Sequence, residues 1–268
     1  MRTCRVTPLH ETIPGFHDTP SRFAALERAT QADPRRRTAE ARREIECAFL
    51  HRSLAGVLLD LHKAGEIPER VVHNDAKISN VLFDGTTGAA LCVVDLDTVM
   101  PGLAVYDFGD MVRSMTCPAA EDETDLSRVE VQMPLFEALA RGYLEAATFL
   151  TPAERVHLVT AGKLITLEQG VRFLTDFLNG DTYYRTQRSS QNLDRCRTQF
   201  KLAESIIQNE AQMVRFVDIA SVFCTARLRN VHSWPTMIRP AGGRSTRSRS
   251  VNLDAALTGA DRPRPARS

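Results

Sequence analysis

Val71-Val72-His73-Asn74-Asp75-Ala76-Lys77-Ile78-Ser79-Asn80-Val81-Leu82-Phe83 is followed by Asp84-Gly85-Thr86-Thr87-Gly88, an apolar run from Ala89 to Val94, and Asp95-Leu96-Asp97. Two apolar runs joined by a turn rich in glycine, threonine and aspartate read as a pair of short antiparallel strands. The polar stretch before the first run carries the order H-x-D-x-K-x-x-N. Because the hairpin brings the chain back, an acidic residue at the end of the return strand lies beside that loop. Asp95 is that residue, and Asp75 and Asn80 are its expected neighbours.

Working outward, helix dominates. From Ala39 to Lys63 the residues Leu50, Leu54, Val57, Leu58 and Leu61 recur at helical spacing, with Gly65 and Pro68 as the stop, which predicts one core-facing helix. Pro8, Pro14, Pro20 and Pro34 limit any helix in the first 35 residues to a short piece near Ser21 to Thr30, so residues 1–38 read as a connecting segment. Thr151-Pro152-Ala153-Glu154 combines a capping threonine, proline at the first helical position and a glutamate three residues after the cap. The run it opens reaches Asn179-Gly180, a C-terminal cap. A further helix, about Leu193 to Met213, is expected to put Cys196, Phe200, Ala203 and Ile207 on one face. The fold class is therefore α+β, mostly helical with a short β-hairpin.

The bulk numbers exclude several classes. A formal charge of +1 over 268 residues gives no global field for nucleic acid or an acidic membrane face. The six cysteines lack C-x-x-C spacing, so neither a zinc cage nor a disulfide framework is suggested, and reduced thiols in the cytoplasm are expected. No run of about 18 apolar residues marks a membrane span. Residues 239–268 hold seven arginines against two aspartates and are expected to be a disordered basic tail. No aromatic residue follows Trp234, which disfavours a nucleic-acid arm. Residues 214–238 receive no assignment.

Phosphoryl transfer needs a carboxylate to orient the attacking hydroxyl and accept its proton, and further oxygen ligands to hold magnesium against the phosphates. The loop and hairpin offer such groups in the right order. Each element alone has a plainer reading: a lone His-x-Asp is more often a turn, and an aspartate ending a strand commonly caps the next turn. The combination of H-x-D-x-K-x-x-N, a hairpin and an apolar-apolar-Asp strand end carries the chemical interpretation.

The segments His73-Asn74-Asp75-Ala76-Lys77, Asn80 to Asp84, Val94 to Pro101 and Tyr106-Asp107-Phe108-Gly109-Asp110, with Arg172-Phe173-Leu174 and Asn179 to Tyr184, resemble the aminoglycoside phosphotransferase and choline kinase superfamily. Within it they look most like the N-acetylhexosamine 1-kinase group, over about Pro8 to Met213. The resemblance implies a protein-kinase-like C-terminal lobe over residues 39–213, with ATP as co-substrate and magnesium as cofactor. It implies Asp75 as catalytic base, His73 as a brace of the loop, Asn80 and Asp95 at the magnesium and nucleotide phosphates, and Asp97 in support of the metal. Lys77 either neutralises charge on the transferred phosphate or is a solvated lysine. Asp107 is expected to be structural. Arg172, Tyr183 and Tyr184 are the expected contacts of a sugar acceptor, the alternative being that Phe173, Leu174 and Phe177 face a core while Arg172 reaches outward.

The same resemblance implies a glycine-rich strand pair and a strand lysine ahead of the loop, and neither is visible upstream of His73. A truncated chain is therefore expected, either inactive in isolation or a non-catalytic module that binds only a sugar or a protein partner. Apolar surface left by the missing lobe is expected to favour self-association.

Overall fold

The computed structural model describes residues 9–231, with side chains in the last helix described as far as Val222. The chain runs α1 (Thr19–Ala32), α2 (Arg42–Leu50), α3 (Val57–Lys63), β1 (Arg70–Val72), β2 (Val81–Phe83), β3 (Ala90–Val93), β4 (Met100–Gly102), α4 (Ala104–Met115), α5 (Met133–Ala146), α6 (Pro152–Val156), α7 (Leu158–Asn179) and α8 (Gln191–Val231). The architecture is α+β, and both sheets are antiparallel pairs: β1 with β4, and β2 with β3. The pair β1–β4 closes the loop that carries His73 to Asp97, with Val72 opposite Met100 and Arg70 opposite Gly102.

Helix α7 is the axis of the molecule. It is buried along nearly its whole length because α8, α4 and α1 pack around it. One cluster gathers Phe108, Val112, Phe136, Leu158 and Leu164. The other seats Phe23 and Leu26 of α1 on Leu167, Val171 and Phe177 of α7, so the segment from Thr19 onward shares the core of the rest. Each such large apolar side chain contributes roughly 1.5–3 kcal/mol when fully buried.

Four local expectations differ from what forms, one being the run opened at Thr151, which divides at His157 into α6 and α7. The helix from Ala39 to Lys63 is broken between Leu50 and Val57, where Arg52–Leu54 make a single 3-10 turn. Gly56 disfavours continuing by about 1 kcal/mol relative to alanine, and the break rephases the chain so that Ala48 and Leu58 are fully buried while Leu50 is 78% exposed. The N-terminal helix is longer than expected, since Asp18 caps it by accepting from the Ser21 N–H and Pro20 sits in its first turn. Helix α8 continues to Val231, and its inward face passes through Ile206, not Ile207, which is 36% exposed.

The Thr151–Glu154 capping box forms with both of its hydrogen bonds, and Gly180 ends α7 in the left-handed conformation at φ 100°. Glu154 also grips Arg70 through both oxygens, at 2.8 and 2.9 Å, tying β1 to α6. The β2–β3 hairpin projects outward: all four residues of β3 are exposed, Leu91 and Val93 among them.

Where α4 crosses α7, Gly109 permits the approach. A Cβ there would meet the Ala161 carbonyl oxygen at 2.6 Å and Ile165 Cγ1 at 2.8 Å. Gly109→Ala is expected to destabilise the chain by about 1–3 kcal/mol, read as a shifted urea midpoint. An unchanged midpoint would show that the two helices separate freely.

Among the described residues no helix is long and apolar enough to cross a membrane. Cys47, Cys92, Cys117 and Cys196 are free thiols. The expected basic tail, 239–268, lies outside the described residues.

Candidate active site

Asp107, in the first turn of α4, organises the loop from beneath. Its Oδ2 accepts from the His73 N–H at 2.9 Å and its Oδ1 from the Asn74 N–H at 2.7 Å. Burial pushes this carboxyl above its ordinary range, and the two backbone N–H groups only partly offset that. Asn74 is held with φ at 64°, a left-handed position that asparagine tolerates better than most residues. Its amide donates to the Thr98 carbonyl at 3.0 Å, and the Thr98 hydroxyl donates to the His73 carbonyl at 2.7 Å, so loop and return segment are stitched twice.

His73 braces the same junction. Its Nε2 meets the Val94 carbonyl at 3.2 Å, and its Nδ1 faces the Asp75 N–H at 3.3 Å. Those partners assign the proton to Nε2, since Nδ1 must accept. A third tether comes from far away in sequence: His17 Nε2 reaches the Asn74 carbonyl at 3.1 Å, while His17 Nδ1 pairs with Glu168 of α7 at 2.9 Å.

On this frame Asp75 is half-buried. Its Oδ2 accepts from Lys77 Nζ at 2.7 Å and from the Asn80 amide at 3.0 Å. Burial pushes the carboxyl up, but Lys77, Asn80 and the charge of Arg113 outweigh it and hold Asp75 below its ordinary range. Asp75 is thus ionised at neutral pH and accepts, rather than donates, hydrogen bonds.

Because the Asn80 nitrogen is turned toward Asp75, its amide oxygen is left for another partner. The Asn80 carbonyl accepts from the Val94 N–H at 2.9 Å, which brings the start of the return segment alongside. Asp95 follows directly, exposed and with φ at 61°. Asp97 lies on the next 3-10 turn, also exposed, and its carbonyl accepts from Thr12 at 3.1 Å. Asn80 is therefore hydrogen-bonded to Asp75 on one side and to the start of the segment that carries Asp95 on the other. Among the described residues no group of three or more His, Cys, Asp or Glu could hold a metal unaided. An amide oxygen and an exposed carboxylate on neighbouring segments still suit magnesium, which binds through few protein oxygens and takes its remaining ligands from phosphates and water. The residues present fit that ion.

A cavity of about 680 Å³ opens beside Asp75 and Lys77, and Arg172, Tyr183 and Tyr184 also line it. Arg172 is stacked, 5.3 Å from the Phe16 ring and 5.8 Å from that of Tyr184. Phe173, Leu174 and Phe177 are buried, so the core reading of those three holds while Arg172 faces the cavity. Asp176 fixes the Tyr183–Tyr184 turn by accepting from both of their backbone N–H groups, at 2.8 and 3.0 Å. Sequence reasoning missed Phe16, Arg113 and Arg195, which complete the wall from three distant segments. The only local trace of these was the i, i+3 spacing of Asp110 and Arg113 on α4.

A family model described as a phosphotransferase enzyme family, APH, matches residues 5–155, which spans the loop, the hairpin and Asp107. The chain belongs to the APH phosphotransferase family. Kinases of this family generally use ATP and magnesium. The Arg172–Tyr184 wall of the cavity lies beyond the matched residues.

Proposed function

We propose that this APH chain carries the catalytic lobe of an ATP- and magnesium-dependent sugar kinase, with a hydroxyl of an N-acetylhexosamine as acceptor. The observation that supports this most is that the ionised Asp75 stands at a cavity also lined by a guanidinium stacked on tyrosine and phenylalanine. Such a wall offers flat apolar area and directed donors together, which suits a sugar ring and its substituents.

Asp75 orients the acceptor hydroxyl and takes its proton, and its low affinity for a proton makes positioning its main contribution. Lys77, 2.7 Å from that carboxylate, stands where it can neutralise charge on the incoming phosphate. The Asn80 amide oxygen and the Asp95 carboxylate would hold magnesium, which when bound offsets charge on the nucleotide phosphates. His73 and Asp107 keep the loop in shape without touching substrate.

The test is a coupled ADP-release assay with N-acetylglucosamine, N-acetylgalactosamine, choline and an aminoglycoside, paired with thermal shift in magnesium and ATP. Turnover on an amino sugar with nucleotide-dependent stabilisation is the expected result. Stabilisation by sugar that ATP does not increase, with no ADP formed, would overturn catalysis in favour of a sugar-binding module.

A further inference from the structure

The charges around the cavity do not balance. Its wall carries Lys77, Arg113, Arg172, Arg185 and Arg195. Against these five cations stand two carboxylates, Asp75 and Glu121. Lys77 is satisfied by Asp75, and Arg113 by a fork to Asp110 at 2.7 and 2.9 Å. Arg195 Nε approaches Glu121 only to 3.6 Å, an ion-pair distance too long for a hydrogen bond, and that nitrogen is buried without an acceptor.

Arg185 has no carboxylate partner, and Arg172 has none within hydrogen-bond reach, its charge acting on Glu168 only from a distance. The polar contact of Arg172 is the neutral Gln169 amide oxygen at 3.2 Å, and among the described residues the Arg185 side chain makes no hydrogen bond or ion pair. Nearby acids are already engaged. Glu168 is taken by His17 and Thr19, and Asp176 by three backbone N–H groups and Asn192. Two guanidinium groups without a hydrogen-bonded carboxylate thus line the space where an acceptor would sit. Neutral hydroxyls can accept from such donors but leave the charge uncompensated, whereas an oxyanion answers both needs in one group.

We propose that the acceptor bears an anionic substituent, a carboxylate or a phosphate ester, held by Arg172 and Arg185 with help from Arg195, while its reacting hydroxyl faces Asp75. This rests on the kinase reading above and narrows its acceptor to acidic derivatives of an amino sugar. The transfer itself is unchanged: the acceptor oxygen bonds to the terminal phosphorus of ATP, the bond to the ADP oxygen breaks, and the hydroxyl proton passes to Asp75.

Calorimetric titration of the full chain with N-acetylglucosamine, its 6-phosphate, glucuronate and inorganic phosphate tests this without requiring turnover. Whichever acidic sugar is the better fit is expected to bind about tenfold more tightly than N-acetylglucosamine, with the advantage shrinking at high salt. Arg185→Ala, at an exposed and unpaired position, is expected to erase the advantage and leave binding of the neutral sugar intact. The phosphate and glucuronate arms distinguish the two anions. Equal binding of neutral and acidic sugars overturns the inference and leaves the kinase reading standing. So does binding of inorganic phosphate as tight as that of the sugar phosphate, which would make the arginines a general anion site. No binding by any of the sugars overturns both.

Discussion

Asp75→Asn is expected to lower the rate of ADP release by about 10²–10⁴-fold, the usual contribution of a positioned general base. The substitution keeps the shape of the side chain and a group that can meet Lys77 and Asn80, but it removes the charge that orients a hydroxyl. The thermal midpoint should move little, because the Asp75–Lys77 pair is partly open to solvent, with side-chain exposures of 24% and 36%, and such pairs contribute little net stability. KM for the sugar should change less than kcat, since the loss falls on the transition state. A variant that retains its rate within a factor of a few would remove Asp75 from the chemistry.

Glu168→Ala should have the largest effect on stability, about 3–5 kcal/mol, measured by urea denaturation at neutral pH. Glu168 is fully enclosed by α1 and α7, and its two oxygens are taken by His17 and Thr19. Truncation would leave His17 Nδ1 and the Thr19 hydroxyl buried without this acceptor. The pH dependence follows from the same contacts. Burial pushes this carboxyl up, yet His17, Thr19 and the charge of Arg172 prevail and hold it below the ordinary glutamate value. A group whose folded pKa is depressed contributes stability above its unfolded pKa and loses that contribution as pH falls through the folded one. The wild-type chain is therefore expected to weaken on the acid side of the ordinary glutamate range, and Glu168→Gln to flatten that limb. An acid limb of identical slope in the variant would refute the assignment.

Much of the local structure was legible because its causes are local. The Thr151–Glu154 box, the glycine cap at Gly180 and the Asp84–Gly88 turn each depend on residues within a few positions of one another, and each forms. The pairing of Asn80 with Asp75 and with the start of the return segment was legible for a similar reason, since a hairpin leaves the return strand few places to go. The break at Gly56 and the phase of α8 were not, because both are decided by what packs against the helix. The cavity was the least legible feature. Phe16, Arg113, Arg172 and Arg195 come from four separate segments, and no spacing rule links them before α7 has gathered them.

The position of His17 makes the reactive loop depend on a segment nearly sixty positions upstream. Its imidazole is a strut between the Asn74 carbonyl and a glutamate in the central helix. Shortening the chain from the front, past that histidine, would leave the other contacts of the loop in place but strip the Asn74 carbonyl of its link to the central helix. Boundaries drawn for domain dissection should therefore begin well before α1, however dispensable its proline-punctuated approach looks.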